Sequence, residues 1–457
     1  MQTLSILLAD VSFPLLQEGF TIAGGWFQWL TELIRALIEG VGITGVGIIL
    51  FTLILKAITL PFDVYQRVTM RKQTLIMRRM APELEKLQKQ YANDRNTYSA
   101  KMMELYKKNG YNMFGACLPM IISLVILIIA FQSLNEFSQY ANLAMYERMT
   151  ASYNAAVRQY SVSEEEAAAD EITTEERAEG TFIIVKSAQA DKFVYFEYNA
   201  DEKDANGEQT KRYSYKIDVD KMYAYFGGDS GEIAALVEEE RQNDASYTKE
   251  DGCYAYLNRI GAKAAAQSYR DDPPSFLWIK NIWYPDVSYA HPIQEYQEFV
   301  NSIRAELILQ DGTRAPLSEV IDEALYENIT SQLDSEKEEP NGYFVLIILS
   351  IGLIVLSQFV AMRSSKESSQ FQTVDGSGAK QQKMMMVIMP IIYAIFAFMY
   401  SAAFSLYMLM SSVISILVTL GSNFVIGRIF RKKEEEEIRQ RHTRTVPGRK
   451  PTDRKKK

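Results

Sequence analysis

The chain has 457 residues, enough for two or three ordinary domains, and a mean hydropathy of −0.13 that would suit a soluble protein. That average conceals five apolar runs, at residues 41–60, 118–134, 343–362, 384–402 and 404–426. Each carries at most one formal charge and approaches the ~20 residues that cross ~30 Å of hydrocarbon as a helix. The sequence therefore predicts an α-helical polytopic membrane protein, a five-span bundle with a cytoplasmic helical hairpin and an inserted extracytoplasmic α+β domain. The two cysteines and two histidines show no CxxC or HExxH spacing, so no metal site is expected. Both histidines, His291 and His442, lie outside the apolar runs, and no Asp or Glu lies within one. Intramembrane Ser/His and aspartyl proteases are thereby excluded, and no enzyme, cofactor or small-molecule substrate is expected.

In chain order, residues 1–40 lack the basic start and small-residue cleavage site of a signal peptide. Residues 4–8 are apolar but too short to span. Trp26, Leu30, Leu33, Ile34, Leu37 and Ile38 recur at helical spacing. They predict an amphipathic helix, either on the outer interface or packed on the spans. Span 1 (41–62) carries Thr52, Lys56, Thr59 and Asp63 at i, i+4, i+7 and i+11, one polar stripe. Lys56 either snorkels to the interface or serves a hydrated cavity. Residues 63–112 predict a cytoplasmic helical hairpin whose seam is Met77, Met80, Leu84, Leu87 and Tyr91, faced by Tyr98, Met102, Leu105 and Tyr106. Pro82 is expected to start or kink a helix. The Met-rich seam serves self-packing or, in addition, docking of other chains.

Span 2 (113–135) leads into the acidic region. Residues 135–342 hold 41 Asp and Glu against 19 Lys and Arg, a balance of −22, while the rest of the chain is +14. The inserted domain (136–275) reads as helix around 141–179, strands within 181–226 about a polar turn at 201–209, and Ala-rich helix over 232–268. An outer segment (276–342) with two amphipathic helices in 294–333 leads to span 3 (343–363), which carries Ser350, Ser357 and Gln358. A loop (364–383), span 4 (384–402) and span 5 (403–427) follow, with Ser405, Ser412, Ser415 and Thr419 near one face of span 5. Hydroxyl stripes also arise from tight helix packing; on three spans, one with a cation, they favour a hydrated cavity. The basic tail (428–457) is expected to be disordered, its cations (Arg431, Lys432, Lys433, Arg439, Arg441, Arg449, Lys450 and Lys455) free to meet anionic lipid or RNA phosphates, or only to fix topology. Basic segments favour the cytoplasm, which sets the N-terminus outside and the C-terminus inside. Cys117 and Cys253 are not expected to pair.

Several local strings then become specific in combination: TLILKAITLP (52–61), MMELYKKNGYNMFGACLPM (102–120), FLWIKNIW (276–283) and QQKMMMVIMP (381–390). In this order and spacing the chain resembles the YidC-type membrane protein insertase family over residues 22–135, 276–285 and 343–430. The resemblance implies a five-helix bundle around a hydrophilic groove open to cytoplasm and lipid, in a bacterial plasma membrane. Lys56 matches the groove cation, usually Arg in the family, with Thr52 one turn above it. Gln358 matches a polar groove position, and Tyr400 and Tyr407 match groove-lining aromatics. Met399 stands where an aromatic is common. Thr52, Lys56, Gln358, Tyr400 and Tyr407, with Ser405 and Ser412, form the expected substrate groove. The implied function is insertion and chaperoning of nascent membrane proteins, with the hairpin receiving the chain and the tail holding the ribosome. A Sec-type translocation channel and membrane lipids are the other expected partners. The alternative reading is a membrane-anchored extracytoplasmic sensor or receptor.

Overall fold

The computed structural model describes residues 21–22, 28–110, 113–162, 172–202, 213–308, 314–364 and 377–444. The chain divides into two compact units, residues 1–31 with 135–342, and residues 32–134 with 343–457. After a short strand β1 (Thr21–Ile22), helix α1 (Gln28–Val41) buries Leu30 and Ile34, as its 3/4 spacing predicts. Trp26 lies outside the described residues. Arg35 and Glu39 pair one turn apart at 2.7 Å. The helix ends where Gly42 adopts φ +73 and its N–H donates to Ile38 O, the left-handed C-terminal cap that glycine tolerates best.

Helix α2 (Thr44–Gln90) is a single element of 47 residues, about 70 Å long at 1.5 Å per residue. Pro82 is expected to start or kink a helix; it starts none, and the helix runs on through both Pro61 and Pro82. Each proline sacrifices one ladder bond, and the flanking turns hold the element together. A turn joins α2 to α3 (Arg95–Lys108), where the Asp94 carboxylate accepts from the Thr97 N–H at 3.1 Å and its hydroxyl at 2.6 Å. These bonds hold the Asp94 carboxyl below its ordinary pKa. Met77, Met80 and Leu84 are buried with Tyr106, flanked by Ile76, Met102 and Leu105, so the hairpin seam forms at these positions but does not include Tyr91 or Tyr98. Leu87 is half-buried outside that cluster.

Helix α4 (Met113–Arg158) continues past the expected end of span 2. Its residues from 135 on belong to the first unit, where Leu143, Tyr146, Met149, Tyr153 and Val157 form a buried stripe. The helix predicted over 141–179 stops at Arg158. Residues 172–177 are instead strand β2 (Ile172–Arg177), paired antiparallel with β3 (Gly180–Val185). Ile172, Thr173 and Thr174 are β-branched and suit the pleated pairing with β3, while residues 163–171 lie outside the described residues. β4 (Val194–Asn199) and β5 (Ser214–Ile217) complete an antiparallel sheet in the order β2-β3-β4-β5. The polar turn predicted at 201–209 falls largely outside the described residues.

Helices α5 (Val219–Tyr225), α6 (Glu232–Glu240) and α7 (Lys249–Asp271) follow. A capping box between Thr248 and Asp251 starts α7. Its buried face runs Cys253, Leu257, Gly261, Ala265 and Tyr269. Gly261 lies so close to Tyr153 that an added Cβ would sit 2.5 Å from the ring. Cys253 is free and buried, and burial pushes its thiol up to about 11. Residues 294–333, predicted as two amphipathic helices, are shorter pieces. They comprise α8 (Tyr296–Ser302), the strands β6 (Leu307–Ile308) and β7 (Arg314–Ala315), one turn at Leu317–Val320, and α9 (Glu323–Thr330). β1 and β7 flank β6. The Gln139 side chain accepts from the backbone N–H groups of Arg304 and Ala305, fixing the chain where the helix was expected to go on. Tyr326 stacks on Tyr146 at 5.4 Å and on Phe299 at 4.9 Å, and those two rings also touch at 5.4 Å, so the regions 136–275 and 276–342 share one core.

The second unit is completed by α10 (Val345–Ser364), α11 (Ser377–Met399) and α12 (Ala402–Arg444), with α12 packed against α10 and α2. Among the described residues three stretches are long and apolar enough to cross a membrane: Thr44–Thr69, Val345–Arg363 and Ala402–Ser422. Pro390–Met399 is a shorter apolar helix. Leu53, Ile58 and Phe62 on α2, Ile348, Leu356 and Phe359 on α10, and Leu417 and Leu420 on α12 are exposed, the outward apolar surface that lipid would cover. The tail departs from expectation. α12 stays helical to Arg444, through Arg431, Lys432, Lys433, Arg439 and Arg441. Glu435 and Glu437 precede Arg439 and Arg441 by four residues, a spacing that supports helix. Arg449, Lys450 and Lys455 lie outside the described residues.

Candidate substrate groove

The polar stripe of α2 faces α12. Lys56 Nζ donates to Ser415 Oγ at 3.2 Å, and one turn on in α12, Thr419 Oγ1 donates to Ser415 O at 2.6 Å. Arg67 Nη2 in turn donates to Thr419 Oγ1 at 2.6 Å. Two cations on one helix thus meet two hydroxyls four residues apart on the other. The hydrogen bond that Lys56 makes here is to a hydroxyl.

Lys56 lines a cavity of about 670 Å³ within the second unit. Its polar lining comprises Thr59 and Asp63 from α2, Ser357 and Gln358 from α10, Tyr393 from α11, and Tyr407, Ser411, Ser412 and Ser415 from α12. Lys56 and Asp63 are its charged lining among the described residues. Seven residues of helix separate them, a rise of about 10 Å. Among the described residues Gln358 Oε1 is buried without a hydrogen-bond partner, an acceptor left ready for a donor that enters. Ser357 is already committed, donating to Ile354 O at 2.8 Å.

The other wall is apolar and aromatic. Phe131 stands edge-on to Phe396, Tyr400 and Phe404, with ring centroids 5.4, 4.5 and 5.2 Å away. Phe396 also stacks on Tyr400 at 5.6 Å. A lining that joins polar groups with aromatic and apolar side chains suits a segment with a polar flank and an apolar body.

Four residues expected in the groove line the cavity: Lys56, Gln358, Tyr407 and Ser412. Three do not. Thr52 is buried and donates to Ile48 O at 2.8 Å, Tyr400 packs on Phe131, and Ser405 is buried in α12 with its Oγ unpartnered among the described residues. Sequence reasoning missed Ser411, Tyr393 and the Phe131–Phe396–Phe404 cluster. A signal existed: Tyr393, Phe396, Tyr400, Phe404 and Tyr407 recur every three or four residues. Thr59, Asp63, Ser357 and Ser415 sit on the polar stripes but were not assigned to the groove.

The family model described as 60Kd inner membrane protein matches residues 36–214 and 254–428, well over half of the chain. A protein named membrane protein insertase YidC from Fusobacterium nucleatum is 38% identical over 104 residues, covering 23% of this chain and 49% of the relative. One of the same name from Caldanaerobacter subterraneus is 34% identical over 114 residues, 25% of this chain and 53% of the relative. Another from Jannaschia sp. is 39% identical over 110 residues, 23% of this chain and 17% of the relative. The chain thus spans about half or less of the length of these curated relatives. No solved structure matches. The receptor alternative finds no support among these relatives. With its apolar spanning helices and this match, the chain is a bacterial membrane protein that belongs to the 60Kd inner membrane protein family, the YidC-type insertases.

Proposed function

We propose that this protein inserts and chaperones nascent membrane proteins, and that the cavity around Lys56 receives the polar flank of an entering span. The observation that carries this reading is the polar cavity itself, a lysine bonded to one hydroxyl and a glutamine acceptor without a partner, among helices apolar enough to span a bilayer. A charged residue at mid-membrane costs about 2.5–3.5 kcal/mol on the insertion scale. A carboxylate about 4 Å from Lys56 would recover roughly 4 kcal/mol at an effective dielectric of about 20. The two magnitudes are comparable, so the contact lowers the barrier without trapping the substrate. The apolar body of the span then prefers lipid to the cavity and leaves.

In this reading the bundle has five spans, with 118–134 in α4 and 384–402 in α11 and after it joining the three apolar helices. The N-terminus is outside and the C-terminus cytoplasmic, as the basic segments favour. The α2–α3 hairpin receives the chain, the basic end of α12 holds the ribosome, and a Sec-type channel is a further partner. Replacing Lys56 in a depletion strain tests the groove. Lys56→Arg should retain insertion, and Lys56→Ala should slow substrates with acidic translocated flanks about tenfold, the equivalent of 1.4 kcal/mol. Lys56→Glu should be worse through like-charge repulsion. Equal function of all three variants would contradict the proposal.

A further inference from the structure

A tight turn in the first unit holds an apolar residue out in an unfavourable backbone conformation. Phe276 and Ile279 exchange both backbone hydrogen bonds at 3.0 Å, leaving Leu277 and Trp278 at the tip. Leu277 has φ +57, a region that suits glycine and is costly for leucine, yet its side chain is 74% exposed. Exposure means that packing within the unit does not repay the strain, and strain of this kind concentrates at functional positions.

The base of the turn is rigid. Ile279, Ile282 and Trp283 are buried, and the Ile282 N–H donates to Pro274 O at 2.8 Å. The Lys280 N–H donates to Asn341 O at 3.1 Å. The Asn281 N–H donates to Asn341 Oδ1 at 2.7 Å, and Asn341 Nδ2 returns a bond to Asn281 O at 2.9 Å. The Gly342 N–H donates to Val287 O at 3.1 Å. Only Tyr343 and Phe344 then separate this clamp from the apolar helix that starts at Val345, a tether of at most about 10 Å. The Lys280 side chain, half exposed and paired with Glu339 at 3.1 Å, follows the tip, a long cationic side chain that can reach the lipid headgroup layer.

We propose that the Leu277 turn inserts into the bilayer interface and anchors this unit to lipid at the point where the chain enters a span. The inference goes beyond insertion and does not require it; a protein inactive as an insertase would still show it. The test uses the full chain with Cys117→Ala and Cys253→Ala, in phosphatidylcholine vesicles. An environment-sensitive fluorophore is attached at Leu277→Cys or, as an exposed control, at Glu238→Cys. The probe at 277 should emit to the blue and be quenched by doxyl-labelled lipids, while the probe at 238 should be quenched by aqueous iodide alone. Iodide quenching at 277 equal to that at 238, or a blue shift without quenching by doxyl lipids (as contact with a second copy or another protein would give), would overturn the proposal. Leu277→Gly separates a packing role. Glycine relieves the strain, so the melting temperature in detergent should hold or rise; a fall would place Leu277 in the fold rather than in lipid.

Discussion

Lys56 and Glu197 show how differently one charge can be used. Lys56 keeps a single hydroxyl partner within a cavity, whereas Glu197, on β4, is fully committed. Its side chain is 5% exposed and accepts two bonds of 3.0 Å from Arg177 of β2, with Lys216 of β5 at 2.6 Å. Burial alone would raise the Glu197 pKa, but the hydrogen bonds and charges of Arg177 and Lys216 outweigh it and hold the carboxyl below its ordinary 4.5. A lowered folded pKa means that its stabilisation is present above 4.5 and is lost as pH falls through the folded value. Amide exchange of residues 172–199 should therefore accelerate as pH drops below 4.5, after correction for intrinsic rates. Glu197→Gln should flatten that dependence. A wild-type profile already flat there would contradict the sign.

At the scale of elements, close approach at Gly261 decides how α4 and α7 pack. A Cβ there would meet the Tyr153 ring at 2.5 Å, and that ring also donates to Asn258 Oδ1, so it is not free to swing away. Gly261→Ala should destabilise the first unit by about 1–3 kcal/mol, the usual cost of overpacking, even though alanine is the better helix former. A melting curve of the full chain checks it, and unchanged or raised stability would show that the helices have room to part. The basic end of α12 gives a second expectation. If it meets ribosomal RNA, truncation after Lys433 should weaken ribosome co-sedimentation at low salt, and the difference should shrink as salt rises. Unchanged low-salt binding would leave lipid as the partner. Much of this level was legible in the sequence. The 3/4 spacing of Leu30 and Ile34, the seam at Met77, Met80 and Leu84, and the polar stripe of Lys56 and Asp63 all report periodicity, which one sequence carries. Strand β2 and the broken region after Ser302 were not legible, because a distant strand pairing and the Gln139 side chain decide them. The composition of the end of α12 points to a disordered tail, and only the Glu–Arg spacing within it signals helix.

Over the whole molecule the charge divides as the fold does. The acidic balance of residues 135–342 falls in one compact unit, and the basic segments fall in the other with the cavity and the apolar helices. The resemblance was carried by strings mainly around that second unit, so the groove was more legible than the acidic unit, whose core joins stretches far apart in sequence such as Tyr146, Phe299 and Tyr326. The central claim is that nascent spans pass through the cavity beside Lys56. Site-specific photocrosslinking from ribosome-bound nascent chains tests it directly, with the crosslinker placed in turn at Ser412 in the cavity and at the exposed Leu417 of the same helix. The account expects adducts at Ser412 when the polar flank of a short span has just emerged, followed by their loss as the chain lengthens. Adducts at Leu417 alone, with none at Ser412 at any chain length, would contradict it.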